Sequence, residues 1–354
     1  MSARRHIPHI ALGVGAVVAL VSCGAASEGP AKETWRFAIE ETQGSVQDAY
    51  ARELERRIEA KDPGIDVKVY PYGSLGTSDD LTEQLRMGSL QFAMASPGHL
   101  GKTIPAVQVF LLHFVFSDDD EVNRRALSDP KLYALFEPLY REAGLKLLSL
   151  FPEGWMVWTT QAPVRRPEDF SGIKIRTMTS PLLLEAYEAY GASPQAMPYS
   201  EVYSALQLNM VDAQVNPVFA IEEMSFYEVT SHMVFPRHAP FIATLVSNPS
   251  FFDGLSPERQ RLVSEVVSDL QPFAFELQQR YNAERLETIR ERKPEMELIE
   301  LSEEERTLFR ERSLPVRDSF VELAGPDGRA ALDVLIAAIN DAKRASGDNS
   351  GVAQ

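Results

Sequence analysis

The sequence is poor in cysteine and in positive charge, and each shortage excludes a class of protein. Its 354 residues include one cysteine, so no intramolecular disulfide can form. Acidic residues outnumber basic ones by 51 to 35, which gives a formal net charge of -16. This balance argues against nucleic acid as a partner, because phosphate binding needs clustered Lys and Arg. The hydrophobic content of 44% is ordinary for a globular protein, and the length suggests about two domains.

The familiar catalytic and cofactor-binding motifs are also missing. The sequence has no G-x-G-x-x-G, no G-x-x-x-x-G-K-[ST], no H-E-x-x-H and no G-x-S-x-G. His232 and His238 are six residues apart in the sequence, but two unrelated histidines explain this spacing better than a metal site does. We therefore expect a protein that binds without catalysis and needs no metal or cofactor.

No hydrophobic run approaches the roughly 20 apolar residues that a transmembrane helix needs. The N-terminus has the pattern of an export signal instead, with Arg4 and Arg5 preceding the short apolar run IALGVGAVVALVS. The run ends in LVSC, which is similar to the bacterial lipobox, so we expect removal of residues 1–22 and lipidation of Cys23. A plain secretory signal with an incidental cysteine is the alternative. Residues 23–33 would then tether a protein on the periplasmic side of a bacterial membrane.

Strand-like and helix-like segments alternate along the rest of the chain, which predicts an α/β fold with parallel strands. TWRFAIE, IDVKVYPYG and SLQFAMAS are typical strands, and a second such unit starts at Gly144, where GLKLLSLF and MVWTT are separated by a break at 152–154. Ser256-Pro257 starts a helical run to about Arg292, interrupted only by Pro272. Such a run is roughly 50 Å long at 1.5 Å per residue, enough to contact two lobes.

Several predicted strands end in polar residues. Arg176 ends IKIR, Asn216 ends VDAQVN, Ser96 ends FAMAS and Glu40 ends TWRFAIE. Polar side chains at the carboxyl ends of α/β strands line the crevice where ligands bind. An Arg fork pairs with a carboxylate, and Asn adds a neutral donor and acceptor. The spacing alone leaves a structural ion pair and a ligand contact equally open for Arg176.

One long stretch of the sequence resembles a known family. GIKIRTMTSPLLLEAYEAYGASPQAMPYSEVYSALQLNMVDAQVNP is similar to the signature segment of the receptors of TRAP (tripartite ATP-independent periplasmic) transporters. The matching motifs are G-x-K-I-R, S-P, G-A-x-P, M-P-x-S-E-V-Y-x-A-L-Q and V-D-x-Q-x-N-P. Weaker similarity extends over residues 34–340. We interpret the chain as a solute-binding protein of the dicarboxylate-binding-receptor family.

The resemblance implies a two-lobe periplasmic binding protein fold, with a hinge and a long helix bracing both lobes. Lobe I is expected at 34–153 with 242–281, lobe II at 154–241 with 282–340, and a tail at 341–354. The lobes would close over one small organic acid. The closed complex would deliver it to a permease of one small and one large integral-membrane subunit, driven by a cation gradient.

The resemblance also implies roles for particular residues. The carboxylate-clamping arginine of the family falls on Arg176, its ligand-facing asparagine on Asn216, and the proline of that motif on Pro217. Candidate walls for the ligand body are Trp155, Trp158 and Phe219, although core packing explains the two tryptophans equally well.

The sequence departs from the family pattern at one position. Many members carry a second arginine in a G-[aromatic]-R triplet, and here that triplet is Gly154-Trp155-Met156. Met156 offers a soft apolar surface and cannot pair with a second carboxylate. A monocarboxylate with an apolar or aromatic body is therefore favoured over a C4-dicarboxylate or sialic acid. A binding protein for an ATP-driven importer or a sensor is the nearest alternative, and an extracytoplasmic α/β hydrolase or lyase is a more distant one.

Overall fold

The computed structural model describes residues 32–347, which form eleven strands and thirteen α-helices. The proposed lipidation site Cys23, the export signal and most of the tether lie outside the described residues. The strands are β1 Glu33–Ala38, β2 Ile65–Tyr70, β3 Phe92–Ala95, β4 Lys146–Trp155, β5 Val157–Thr160, β6 Lys174–Thr177, β7 Ser193–Ala196, β8 Ala213–Asn216, β9 His232–Phe235, β10 Pro240–Ser247 and β11 Glu297–Glu300.

The α-helices connect these strands and form the C-terminal part of the described chain. They are α1 Val46–Lys61, α2 Ser78–Arg86, α3 Pro97–Leu100, α4 Asp120–Leu127, α5 Pro130–Glu142, α6 Pro181–Ala189, α7 Val202–Gln207, α8 Val218–Glu223, α9 Pro249–Gly254, α10 Pro257–Asp269, α11 Gln271–Arg292, α12 Glu303–Ala324 and α13 Pro326–Ala345. Short 3₁₀ helices lie at Pro105–Leu111, Pro167–Phe170, Tyr199–Glu201 and Phe226–Val229.

The strands form two separate sheets, one in each lobe. The first has the order β2-β1-β3-β10-β4, and the second has the order β11-β9-β5-β8-β6-β7. Strands linked through helices are parallel, as expected, but β10 runs antiparallel to β3 and β4, and β5 runs antiparallel to β8 and β9. The antiparallel strands β5 and β10 are the two that follow a direct crossing between lobes. A strand that enters a sheet without a crossover helix is free to pair antiparallel.

The first crossing between the sheets differs from the prediction in position. β4 continues through Pro152, Glu153 and Gly154 as part of the first sheet, and the break falls at Met156. β4 tolerates Pro152 where its pairing with β10 is irregular, between Phe241 and Ile242. The return crossing lies between β9 and β10.

Serine caps mark the starts of two helices, and one of them is the start predicted at Ser256. Ser302 and Glu305 form the reciprocal capping box of α12, and the Ser256 hydroxyl accepts from the backbone nitrogen of Arg259 at the start of α10. The long run to Arg292 is however two helices, which join at Leu270, and Pro272 stands in the first turn of α11. Proline lacks the N–H that helix interiors require, so it ends up where no intrahelical partner is needed.

Helix α11 contacts both lobes. It lies against β4 of the first sheet and against α8, which follows β8 of the second sheet. The Asn282 side chain connects the two: its Nδ2 donates to the carbonyl oxygen of Glu153 at 2.9 Å, and its Oδ1 accepts from the backbone nitrogen of Phe219 at 3.2 Å. The expectation of a long helix bracing both lobes is confirmed for α11.

The last two helices also depart from the expected division. α12 contacts both α6 of the second lobe and the 3₁₀ helix Pro105–Leu111, whereas α13 lies against α4, α5 and that 3₁₀ helix in the first lobe. Its buried residues Leu332, Leu335 and Ile339 belong to the first-lobe core. The assignment of 282–340 to lobe II is thus wrong for α13. No helix within residues 32–347 has both the length and the apolar character for crossing a membrane.

Candidate functional site

A cavity lies between the two lobes. Its lining comes from segments that follow β1, β3, β6 and β8, together with the starts of α1, α2 and β10. Among the predicted ligand-binding residues it includes Glu40, Ser96, Arg176, Asn216 and Phe219; the further lining residues are Glu41, Gln47, Ser78, His99, Met178, Tyr199, Pro217, Ala220 and Phe241. The polar strand ends identified in the sequence therefore meet at one site.

Arg176 is the cation of this cavity, and it is 1% exposed. Its Nε and Nη2 donate to the carbonyl oxygen of Met197 at 3.1 and 2.9 Å, and the guanidinium carbon lies 6.0 Å from the centroid of the Tyr199 ring. Burial lowers the pKa of Arg176 to about 10, while Tyr199 and Tyr72 oppose this shift, so the group stays charged near neutral pH. No carboxylate of residues 32–347 forms an ion pair with it, so the structural ion pair is not what holds Arg176 in place.

Arg176 has unused hydrogen-bonding capacity. A guanidinium has five N–H donors, and the two bonds to Met197 use only one edge of the group. A buried cation without a paired anion costs free energy that an anionic ligand can recover. This arrangement suits a bidentate contact to a ligand carboxylate.

Glu40 faces the same cavity from the first lobe. It directly follows β1, is 8% exposed, and its Oε2 has no hydrogen-bond partner among the described residues. Burial raises the pKa of Glu40 to about 8, with the hydroxyls of Ser78 and Ser96 lowering it and the neighbouring Glu41 raising it. A buried carboxyl group with a free oxygen suits a cationic or hydrogen-bond-donating group of a ligand.

Further buried acids surround Glu40. Gln47 holds three of them together: its Oε1 accepts from the backbone nitrogen of Glu40 at 2.8 Å, its backbone nitrogen donates to Glu41 Oε2 at 3.0 Å, and its Nε2 donates to Glu153 Oε2 at 3.3 Å. Burial raises the pKa of Glu41 to about 7 and that of Glu153 well above its usual range, and it raises the pKa of Glu223 to about 9. This side of the cavity is therefore rich in acids that a bound cation would help to ionise.

The remaining polar contacts orient Asn216. Its Nδ2 donates to Gln214 Oε1, and Gln214 Nε2 donates to Thr159 Oγ1 at 3.0 Å. These bonds fix the amide at the carboxyl end of β8. Phe219, at the start of α8, supplies an aromatic wall beside it and is 1% exposed.

Three residues predicted from the sequence do not line this cavity. Trp155 lies outside it, where its Nε1 donates to Asp120 Oδ1 at 2.7 Å and Arg237 lies 5.1 Å from the centroid of its ring. Trp158 is fully buried in the second-lobe core and donates to the Tyr187 hydroxyl at 2.9 Å. Both contacts favour the structural interpretation of the tryptophans.

Met156 also lies elsewhere, in the lining of a neighbouring cavity. The break between β4 and β5 falls on this residue. Met156 therefore does not line the space around Arg176, although the cavity it lines shares Met178 and Phe241 with that space. Arg176 is nevertheless the one Arg or Lys among the described residues that line the main cavity.

Sequence reasoning missed the walls formed by Met178, Tyr199 and Phe241, and the acids Glu41 and Glu153. The adjacent acids Glu40-Glu41 after an apolar strand were a signal that could have found the acidic side of the cavity. The wall residues carry no such signal, because the sequence does not show whether an aromatic residue or a methionine packs in a core or lines a cavity. Within residues 32–347, no three His, Cys, Asp or Glu side chains group closely enough to hold a metal ion.

Two α/β lobes with a cavity between them, and a helix that contacts both, are the architecture of a solute-binding protein. The model for bacterial extracellular solute-binding proteins of family 7 matches residues 37–323, so the chain belongs to this family, the solute receptors of TRAP transporters. The family consists of receptors and not enzymes. Its members act with a small ligand and with the membrane subunits of a TRAP permease.

Relatives within the family have named ligands. The chain is 38% identical over 319 residues to the ectoine/5-hydroxyectoine-binding periplasmic protein UehA of Ruegeria pomeroyi, covering 90% of this chain and 94% of that protein. It is also 38% identical over 321 residues to the ectoine-binding periplasmic protein TeaA of Halomonas elongata, covering 90% and 92%.

Solved structures agree with the fold. A high-resolution structure of the ectoine-binding protein of the Halomonas elongata TeaABC TRAP transporter has a TM-score of 0.85 and 37% identity, and it covers 87% of this chain and 100% of that one. An apo open TRAP solute-binding protein from Marinobacter aquaeolei has a TM-score of 0.82 and 46% identity, with 86% and 99% covered.

Proposed function

We propose that this TRAP receptor captures a compact zwitterionic solute of the ectoine class. Arg176 binds the carboxylate of the solute, and Glu40 binds its cationic group. The observation that carries the proposal is the pairing of these two residues: an arginine without an anionic partner and a carboxyl group with an unpartnered oxygen line one cavity from opposite lobes. A zwitterion satisfies both at once.

The charge balance of the cavity supports a single carboxylate on the solute. Arg176 is the one Arg or Lys in its described lining, and His99 beside it is kept neutral because burial lowers the pKa of the imidazole to about 4. A second carboxylate would meet Glu40 and Glu41 without a balancing cation. The expectation of a monocarboxylate is therefore retained, with an added positive group.

The walls support a flat, partly apolar ligand body. Tyr199, Phe219 and Phe241 line the cavity, and Asn216 offers one neutral amide beside them. These walls replace Trp155 and Trp158, which the sequence suggested. The two relatives named for ectoine binding are independent support, since ectoine is a zwitterion.

Calorimetric titration of the purified protein tests the proposal. Ectoine and 5-hydroxyectoine are compared with succinate and with benzoate, a monocarboxylate that has an aromatic body and no positive charge. We expect tight binding of at least one zwitterion and weak binding of both acids. Tight binding of succinate with none of ectoine would contradict the assignment, and tight binding of benzoate alone would leave a carboxylate clamp without a role for Glu40.

The location of the receptor follows from the same proposal. We infer that Cys23 carries a lipid that holds the two lobes at the periplasmic face of a membrane, close to the small and large permease subunits. The motif LVSC at the end of the apolar run supports this inference. An unlipidated periplasmic protein is the alternative, and the fractionation described below separates the two.

A further inference from the structure

A second cavity, here called the side chamber, lies next to the solute cavity. It is a small space lined mostly by apolar side chains, among them Met156, Leu183 and Val215. Met178 and Phe241 line both the side chamber and the solute cavity. The two spaces therefore share part of their lining.

The side chamber contains one polar atom without a partner. His238 lines it, is 1% exposed, and its Nδ1 has no hydrogen-bond partner among the described residues. Trp158 Nε1 donates to the Tyr187 oxygen at 2.9 Å, and we assign the Tyr187 hydroxyl as the donor to His238 Nε2 at 3.2 Å. This assignment places the proton of the neutral imidazole on Nδ1.

The chamber is suited to uncharged groups. Burial lowers the pKa of His238 well below its usual range and that of His113 to about 3, so both imidazoles are neutral near pH 7. The Nδ1 of His113 already pairs with the Tyr190 hydroxyl at 2.7 Å. No Asp, Glu, Lys or Arg of the described chain lines the chamber. With this tautomer, His238 Nδ1 is an N–H donor in apolar surroundings, which an oxygen acceptor would satisfy.

Met178 is the movable part of the partition. Its Sδ lies 4.0 Å from Ser96 Oγ of the first lobe, and its tip packs onto Gly98, where an added Cβ would lie 2.6 Å from both Sδ and Cε. An unbranched thioether with three rotatable bonds can change rotamer without moving the backbone. Met178 therefore decides whether the solute cavity and the side chamber are continuous.

We propose that the side chamber is a second subsite for the bound solute, and that Met178 determines its specificity. The subsite takes a short uncharged substituent that carries an oxygen acceptor, such as a hydroxyalkyl or ether group, and the acceptor pairs with His238 Nδ1. This inference rests on the proposed function as a solute receptor. It adds that the protein restricts the size and polarity of a substituent on the solute that lies away from its two charged groups.

The test compares the protein with Met178→Ala, using Met178→Leu as the matched control of similar volume. The probes are ectoine, 5-hydroxyectoine, and ectoine homologues whose ring methyl group is lengthened to ethyl, propyl or methoxymethyl. We expect Met178→Ala to raise the affinity of at least one enlarged homologue relative to ectoine by roughly tenfold or more, the usual value of an added methylene in a fitting pocket. Met178→Leu should leave that ratio unchanged.

Two further variants test the roles of Gly98 and His238. Gly98→Ala should push the Met178 tip into the cavities and lower the same ratio. His238→Phe in the Met178→Ala background should remove the preference for methoxymethyl over propyl while retaining the gain for propyl. An unchanged ratio in Met178→Ala, or a chamber that holds only an ordered water in all complexes, would overturn the proposal.

The experiment separates this inference from the proposed function. If the protein binds no ectoine homologue, the ligand class fails, and the ratio is measured instead with a series of monocarboxylates from propanoate to octanoate. A crystal structure of Met178→Ala provides a readout that needs no ligand: the inference expects one continuous cavity from Arg176 to His238. Closure of the gap by Phe241, leaving two separate spaces, would contradict it.

Discussion

At the scale of single residues, the proposed site combines two ionisable groups, Arg176 and Glu40, whose hydrogen bonding the protein leaves incomplete. Arg176 lies on the same face of β6 as Lys174, yet Lys174 is exposed and Arg176 is buried. The difference arises because the carboxyl end of β6 points into the cleft, where the other lobe covers it. Strand alternation puts the two residues on one face but cannot show that the Arg176 end of that face is buried.

Replacing Arg176 with Ala should abolish solute binding without unfolding the protein. The loss of a buried charged partner costs about 2–5 kcal/mol of affinity. The ligand-free protein should be as stable as before or more so, because the desolvation cost of the guanidinium disappears. Thermal melts with and without ectoine measure both effects. Arg165→Ala is the control, since Arg165 is an exposed partner of Glu305 and lies away from the cavity. Full ligand-dependent stabilisation of the Arg176 variant would show that the residue is structural.

The affinity for a zwitterion should rise with pH through the titration of Glu40. Burial raises the pKa of Glu40 to about 8, so at pH 6 the carboxyl is protonated and must lose its proton to bind a cation. Arg176 stays charged over this range and His99 stays neutral. Glu41 and Glu153, whose pKa values are also raised, add to the same rise. We expect the affinity to rise by up to about tenfold per pH unit between pH 6 and 8. The rise should be smaller in Glu40→Gln, and calorimetric titration at each pH measures both.

The control for that slope is Glu83→Gln, an exposed carboxylate on α2. It should keep both the affinity and its pH dependence. The raised pKa of Glu40 also means that the folded protein binds more protons than the unfolded chain between the ordinary carboxyl pKa and about 8. Stability of the ligand-free protein should therefore fall as the pH rises through this window. A pH-independent affinity in the unmodified protein would contradict the role of Glu40.

At the scale of secondary-structure elements, the connection of α11 to both lobes depends on a glycine. Gly154 has a φ of +132°, and a Cβ there would lie 2.4 Å from Asn282 Nδ2. The amide of Asn282 can reach the carbonyl of Glu153 and the nitrogen of Phe219 only because this side chain is absent. The contacts of Asn282 therefore require a glycine at position 154, whichever solute the protein binds.

Gly154→Ala should destabilise the protein by about 1–3 kcal/mol, from backbone strain and from displacement of Asn282. Gly172→Ala is the matched control, because Gly172 has a φ of +82° but nothing within 4 Å of an added Cβ. The double variant Gly154→Ala/Asn282→Ala should lose less stability than the sum of the single variants, since removing the amide relieves the clash. Urea unfolding measures these differences, and strict additivity would argue against the contact.

Much of the fold could be predicted from the sequence, because caps, glycines and hydrophobic periodicity act locally. The helix that starts at Ser256 and the strand ending in Arg176 lie where the pattern predicts. The antiparallel entry of β10 and the attachment of α13 to the first lobe could not be predicted, because both depend on contacts between distant parts of the chain.

The site could be predicted only in part for a similar reason. Strand ends and family motifs identified Arg176, Asn216, Ser96, Glu40 and Phe219, all of which line the cavity. Whether a large apolar side chain faces a ligand or a core depends on the packing of two lobes against each other, which no local pattern records.

At the scale of the whole molecule, the account combines a solute receptor with a membrane anchor. Replacement of Cys23 with Ala should release the receptor from the membrane fraction into the soluble periplasmic fraction, without changing its affinity for the solute. Fractionation of producing cells and mass spectrometry of the N-terminal peptide measure this. An unmodified Cys23, or an unchanged membrane fraction in the variant, would contradict lipid anchoring while leaving the binding site as described.

The most direct test of the central claim is a crystal structure of the protein with bound ectoine. The account predicts that the carboxylate of ectoine lies within hydrogen-bonding distance of the Arg176 guanidinium, and that its cationic group lies against Glu40 Oε2. The same structure should keep the Met197 carbonyl paired with Arg176. Ectoine bound with its carboxylate away from Arg176, or outside the cavity between the lobes, would contradict the account.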